Sequence, residues 1–195
     1  MLVGYEANNA MRDSHELGDF CRDLIAGIAD KHVGSFRALL FSTRTNADYR
    51  KYFSGNSNVS TYLPIGISKM LPEGWIRYRL NPMLKAEKVK LFHGLNDELP
   101  YGIGRDIKTV ITCFGLDRHN RNSLVDALAW RFRMRYAFRA SDAIVAVNNE
   151  VKQQLVDKGV NPDKIVVISS PSGNPYELTD GMIDQYFELY NKLLD

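Results

Sequence analysis

The residues best suited to chemistry sit in two short polar stretches, HGLNDELP (His93 to Pro100) and CFGLD (Cys113 to Asp117), which begin twenty residues apart. Each follows an apolar run that reads as a buried strand, Val89–Phe92 and Lys108–Thr112. In a parallel α/β sheet the loops after the strands' carboxyl ends line the ligand crevice, so these two loops form the candidate site. His93 could bind a ligand hydroxyl or phosphate, or cap its loop by bonding backbone. Glu98 could orient a ligand, although the favoured role for such a carboxylate is accepting loop N–H groups. Asn148 follows an apolar strand and opens a helix, where its default role is an N-cap worth about 1 kcal/mol.

Other chemical signals are weaker. Arg131, Arg133, Arg135 and Arg139 interleave with Phe132, Tyr136 and Phe138, a pattern that raises nucleic-acid binding. On a helix, spacing by four puts Arg131, Arg135 and Arg139 on one face and the aromatics largely on others, which reads as a solvated stripe. Attraction to an anionic membrane is the minor option. His15 and His119 are lone loop histidines, and Cys113 reads as a small buried hydrophobe. The sequence offers no carboxylate pair at identifiable spacing, no Ser/His/Asp set and no metal cluster.

The elements that must position the two loops alternate as strand and helix. Leu2–Tyr5 reads as a first strand and residues 7–19 as a polar linker. Leu17, Phe20, Cys21, Leu24, Ile25 and Ile28 then form a helical apolar stripe, with Arg22, Asp23 and Asp30 on the solvated side. Phe36–Phe41 is a second strand, giving the opening unit of a doubly wound fold. Further strands are expected at Val59–Leu63, Ala143–Val147 and Ile165–Ile168. Helices are expected at 46–53, Trp75–Lys88 (with Pro82 breaking or kinking it), Ser123–Arg139 and Val151–Lys158. Gly159 is placed as a C-cap, and Thr179 or Asp180 caps a last helix whose apolar face must dock on the sheet. The fold class is therefore α/β, a Rossmann-like three-layer arrangement with a mostly parallel sheet flanked by helices.

Composition sets the outer bounds. The chain of 195 residues, 45% hydrophobic and 25% charged, suits one soluble globular domain. A net charge of +2 is too weak to imply nucleic acid by itself. Two distant cysteines, Cys21 and Cys113, make a disulfide framework unlikely and fit a reducing cytoplasm. No apolar run approaches a membrane span, and MLVGYEANN lacks the features of a signal peptide. The expected location is cytoplasmic, with at most peripheral contact at the inner face of a membrane.

Four stretches together resemble the N-terminal half of family 4 glycosyltransferases, two-domain GT-B enzymes that move a sugar from a nucleotide-sugar donor. The family's Arg, spacer and G-L-G-N/D-Y/F loop is met by Arg12 and Glu16-Leu17-Gly18-Asp19-Phe20. Its H-G-L-S/N-N-E-L-P pattern is met by His93-Gly94-Leu95-Asn96-Asp97-Glu98-Leu99-Pro100. Its strand KTVVTIHDL is matched by Lys108 to Leu116, and its A-D-x-I-I-A-V-S-E pattern by Ala140 to Glu150, followed by Gly159 to Ile168. The resemblance covers roughly residues 1–170. It implies an acceptor-side domain at 1–170, a linker at 171–178 and a crossover-like helix at 179–195 packing back on the domain. It also implies a substrate cleft formed by Gly18, His93, Gly94, Asn96, Glu98, Phe114, Gly115 and Asn148.

Departures from the pattern shape the functional expectation. Phe114 and Gly115 stand where the family has His and Asp, and Glu16 replaces the first loop glycine. Nothing after Ile168 resembles the donor domain. The expected function is the acceptor-binding half of a sugar transferase, inactive as this chain alone. It would hold no cofactor, and a complete parent enzyme would take a nucleotide-sugar donor. Expected partners are a sugar or lipid-linked glycan acceptor, the missing donor domain or a second copy of the chain, with no nucleic acid. The alternative is a non-catalytic module on the same fold that binds glycan, lipid-linked acceptor or protein.

Overall fold

The computed structural model describes residues 1–95, 98–116 and 124–195. Its elements are β1 (Leu2–Glu6), α1 (Asn8–Arg12), α2 (Glu16–Lys31), β2 (Arg37–Phe41), α3 (Ala47–Tyr52), β3 (Val59–Tyr62) and α4 (Pro72–Ala86). There follow β4 (Leu91–Gly94), β5 (Lys108–Cys113), α5 (Leu124–Ala140), β6 (Ala143–Ala146), α6 (Asn149–Asp157), β7 (Ile165–Val167) and α7 (Asp180–Leu194). The strands form one seven-stranded sheet in the order β3-β2-β1-β4-β5-β6-β7. Every pairing in it is parallel. The central strands are near-continuous apolar runs because helices cover both sheet faces. The chain winds from β1 toward β3, then returns to β4 on the other side of β1 and continues outward. The reversal lies between β1 and β4, and such a switch point opens a crevice at the strands' carboxyl ends.

Two helices depart from the sequence reading. The polar linker after β1 contains the short helix α1, and α2 leans on it. Arg22 does not sit on a solvated face: it is 3% exposed. Its guanidinium donates to the carbonyls of Ala10 (2.8 Å) and Asp13 (3.0 Å), pairs with Asp19 and lies 3.9 Å from the Tyr49 ring centroid. Helix α4 runs through Pro82 unbroken and starts earlier than expected, with Pro72 in its first turn. A proline fits there because the first N–H groups of a helix lack intrahelical partners. Burial of Trp75, Ile76, Leu80 and Leu84, worth about 1.5–3 kcal/mol each, outweighs the roughly 3 kcal/mol cost of an interior proline.

The last helix lies across α2 and reaches the sheet. Thr179 accepts from the Met182 N–H at its N-terminus, and Met182, Ile183, Tyr186, Leu189 and Tyr190 are buried. Gly27 of α2 makes the crossing close, since a Cβ there would run into the Ile183 side chain. Lys31 pairs with Asp184 at 2.9 Å, and His32 stacks on Phe187. No helix among the described residues is long and apolar enough to cross a membrane.

Candidate functional site

The carboxyl ends of β1 and β4 meet at the switch point, where Glu6 sits in register beside Gly94. A cavity of about 190 Å³ opens there, bounded by α1, α4 and the segment 98–100. Glu6 is only 4% exposed although it carries a carboxyl group. Its Oε1 accepts from the Asn8 N–H at 3.1 Å, while its Oε2 has no partner among the described residues. Burial, reinforced by the nearby Glu98 and Glu73 charges, pushes its pKa up to about 8, so the acid form predominates at neutral pH. Asn8 fixes the position of α1: its Oδ1 accepts from the Thr43 N–H and hydroxyl, both at 2.8 Å. Two guanidiniums line the cavity, Arg12 at 3.7 Å from Glu73 and Arg77 at 3.7 Å from Glu98.

The residues expected at the cleft occupy varied surroundings. His93 does not face the crevice but is wholly buried beneath α7. Its Nδ1 lies 2.6 Å from the Tyr190 hydroxyl and its Nε2 2.9 Å from Thr112 Oγ1. Tyr5 donates to Tyr190 (3.3 Å), and Thr112 in turn meets Tyr186 (3.2 Å). The chain of hydroxyls therefore runs through the buried imidazole, which is bonded at both ring nitrogens. Burial holds its pKa down at about 3, which removes it from acid–base work near neutrality.

Gly18 and Gly94 serve close packing. A Cβ on Gly18 would collide with the Asp13 carbonyl, and one on Gly94 with the Glu98 carbonyl. Glu98 itself lines the cavity, and its carboxylate takes guanidiniums, Arg133 Nε at 2.9 Å besides Arg77. That differs from the expected bonding to loop N–H groups. Phe114 is 6% exposed, with Tyr176 stacked on it at 5.5 Å and Phe20 edge-on at 5.1 Å. Gly115 takes a φ of +126°, a region that favours glycine. Asn148 caps α6, accepting from the Val151 N–H at 2.8 Å. Asn96 lies outside the described residues, as do His119 and Ser123.

The cavity thus brings together Glu98 from the expected set with Glu6, Asn9 and Arg77, which the sequence reading did not single out. Glu6 had a signal: it is a carboxylate closing an otherwise apolar strand, LVGYE. Arg131, Arg135 and Arg139 are exposed on α5, as a solvated stripe requires, whereas Arg133 turns inward to Glu98. Among the described residues no group of three or more His, Cys, Asp or Glu side chains is arranged to hold a metal ion.

The fold is a Rossmann-like α/β domain with a polar crevice at the switch point of its parallel sheet, and comparison with known proteins defines its class. The family model for Glycosyltransferase Family 4 matches residues 36–171, and the chain belongs to that family. No curated protein matches the sequence significantly. Among solved structures, the fold is similar to the apo form of the lipopolysaccharide outer core galactosyltransferase WaaB. There the TM-score is 0.58 and identity 13%, over 88% of this chain and 46% of that one. A glycosyltransferase from Rickettsia africae ESF-5 gives a TM-score of 0.54 and 15% identity over 97% of this chain and 49% of that one. Anabaena Alr3699/HepE, in complex with UDP and glucose, gives 0.51 and 13% over 88% and 47%. The chain spans about half the length of these structures.

Proposed function

We propose that this chain is the acceptor-binding half of a glycosyltransferase that uses a nucleotide-sugar donor, and that it does not turn over donor by itself. The observation that carries the reading is the polar cavity around Glu6 at the carboxyl ends of β1 and β4. Family membership and the UDP and glucose held by one structural neighbour support the choice of chemistry. Transfer of this kind depends on holding acceptor and donor in register and on stabilising the departing diphosphate. The cavity's paired guanidiniums and carboxyl groups suit the first task. The second calls for donor-binding groups that the match to half of each neighbour leaves to another domain.

A second reading, a non-catalytic glycan-binding module, is favoured by one feature. Phe114 is sandwiched between Phe20 and Tyr176, so an aromatic contact fills the position where the family pattern has histidine. The test incubates the chain with UDP- and GDP-sugars and a panel of neutral oligosaccharides, measuring released nucleoside diphosphate and retained glycan. Glycan binding without release is expected. Release at enzymic rates would overturn the inactivity, and failure to retain any glycan would overturn the acceptor role.

A further inference from the structure

Helix α5 contains no aspartate or glutamate between Leu128 and Ala140. Within that span Leu128, Arg131, Phe132, Arg135 and Arg139 are all exposed. At about 3.6 residues per turn they fall within an arc of about 100°, a single stripe facing away from the buried Met134 and Ala137. A stripe that serves solvation alone carries both charge signs and keeps large apolar groups scattered. Here every charge is positive, and Phe132 is 66% exposed. Helix α4 lies alongside, joined to α5 by Arg77 and Arg133 on Glu98 and by Tyr101, which stacks on Tyr78 and meets Tyr136. It continues the pattern: Leu71, Tyr78 and Lys85 recur every seven residues, and all three are exposed. We propose that this face of α4 and α5 is a docking surface for an anionic lipid bilayer.

The occupant follows from the two kinds of group that share the face. At a lipid surface arginines meet the phosphate headgroups, and aromatic and aliphatic side chains beside them reach the acyl boundary. Exposed Met70 and Ile65, just before Leu71 in the chain, extend the apolar part at the start of α4. A nucleic acid would satisfy the arginines but offers no apolar phase to these aliphatic groups. Nearby carboxylates do not cancel the charge: Glu98 is held by Arg77 and Arg133, and Glu73 faces Arg12. Topology isolates the surface. The chain winds outward from β1 to β3 and then the other way to β7, which with right-handed crossovers puts α4 and α5 on the opposite sheet face from α2 and α3. The contact is peripheral, since no helix among the described residues can cross a bilayer. It is also independent of Glu6 and Asn9 in the crevice, so its failure would leave the acceptor-side role standing.

The test sediments the whole chain with vesicles of phosphatidylcholine alone and of phosphatidylcholine and phosphatidylglycerol in equal parts. Cosedimentation with the anionic vesicles is expected, falling as salt is raised and the attraction is screened. Arg131→Gln together with Arg135→Gln is expected to weaken it about 25-fold, since each basic group near such a surface contributes about fivefold. Phe132→Ser is expected to weaken it about tenfold. Arg50→Gln together with Lys51→Gln removes the same charge from α3, which packs on α2, and should change binding by less than about twofold. Because the lipid and salt series is run on the unaltered chain, a variant that fails to fold does not rescue the proposal. No cosedimentation with anionic vesicles would overturn it. Equal binding to both vesicle types would overturn the part given to the arginines. An equal loss from the α3 pair would overturn the assignment to α4 and α5. Retention on polyglutamate or duplex DNA without vesicle binding would overturn lipid as the partner.

Discussion

Glu6 and His93 are both buried titratable groups, and they impose opposite pH dependences on the fold. Glu6 is raised from 4.5 to about 8, so between those values the folded chain holds a proton that the unfolded chain has released. The associated stability is complete below 4.5 and is lost as pH climbs through 8. His93 is lowered from 6.5 to about 3, so its contribution is complete above 6.5 and is lost as pH falls toward 3. Glu6→Gln, a neutral mimic of the acid form, should therefore gain stability over the natural chain as pH rises from 5 to 8. Urea titrations at the two pH values check this, and an unchanged difference would count against a buried protonated Glu6. Little of this was legible in the sequence. His93 reads as a loop residue, ligand-binding or capping, because Tyr190 and Thr112, which hold it, lie 97 and 19 residues away. Arg22 reads as solvated because the carbonyls it binds belong to α1 and its C-cap Asp13, a helix that the polar run ANNAMR conceals.

At the scale of elements, the pairing of α1 with α2 and the docking of α7 decide how the crevice is held. Gly18→Ala gains about 1 kcal/mol of helix propensity but drives a Cβ into the Asp13 carbonyl. Backbone cannot yield as a side chain tip can, so a net loss of about 1–3 kcal/mol is expected in thermal or urea unfolding. A neutral or stabilising result would mean that α1 moves freely. Tyr190→Phe keeps the ring but leaves His93 Nδ1 without its 2.6 Å partner. That should cost about 1–3 kcal/mol in urea unfolding, whereas loss of the exposed Tyr78 hydroxyl should cost nothing measurable. Strands and long helices were readable because apolar runs and stripes are local signals. Helix α1, five residues long, has no room for a period, and α4 carries the interior Pro82, which reads as a breaker.

For the whole molecule, winding order places the crevice between β1 and β4, which the order of strands along the sequence does not reveal. His93 and Gly94, expected to open the loop HGLNDELP, belong to β4 itself, and the partner of this strand end across the switch point is the end of β1 and not the loop after β5. The proposed acceptor-side role requires the chain to recognise a neutral sugar and to leave nucleotide unbound. Calorimetric titration of the chain with a neutral glycoside, and separately with UDP and a UDP-sugar, separates the two outcomes. Saturable heat is expected with the glycoside and none with either nucleotide; saturable binding of UDP without any glycoside binding would overturn the acceptor-side role.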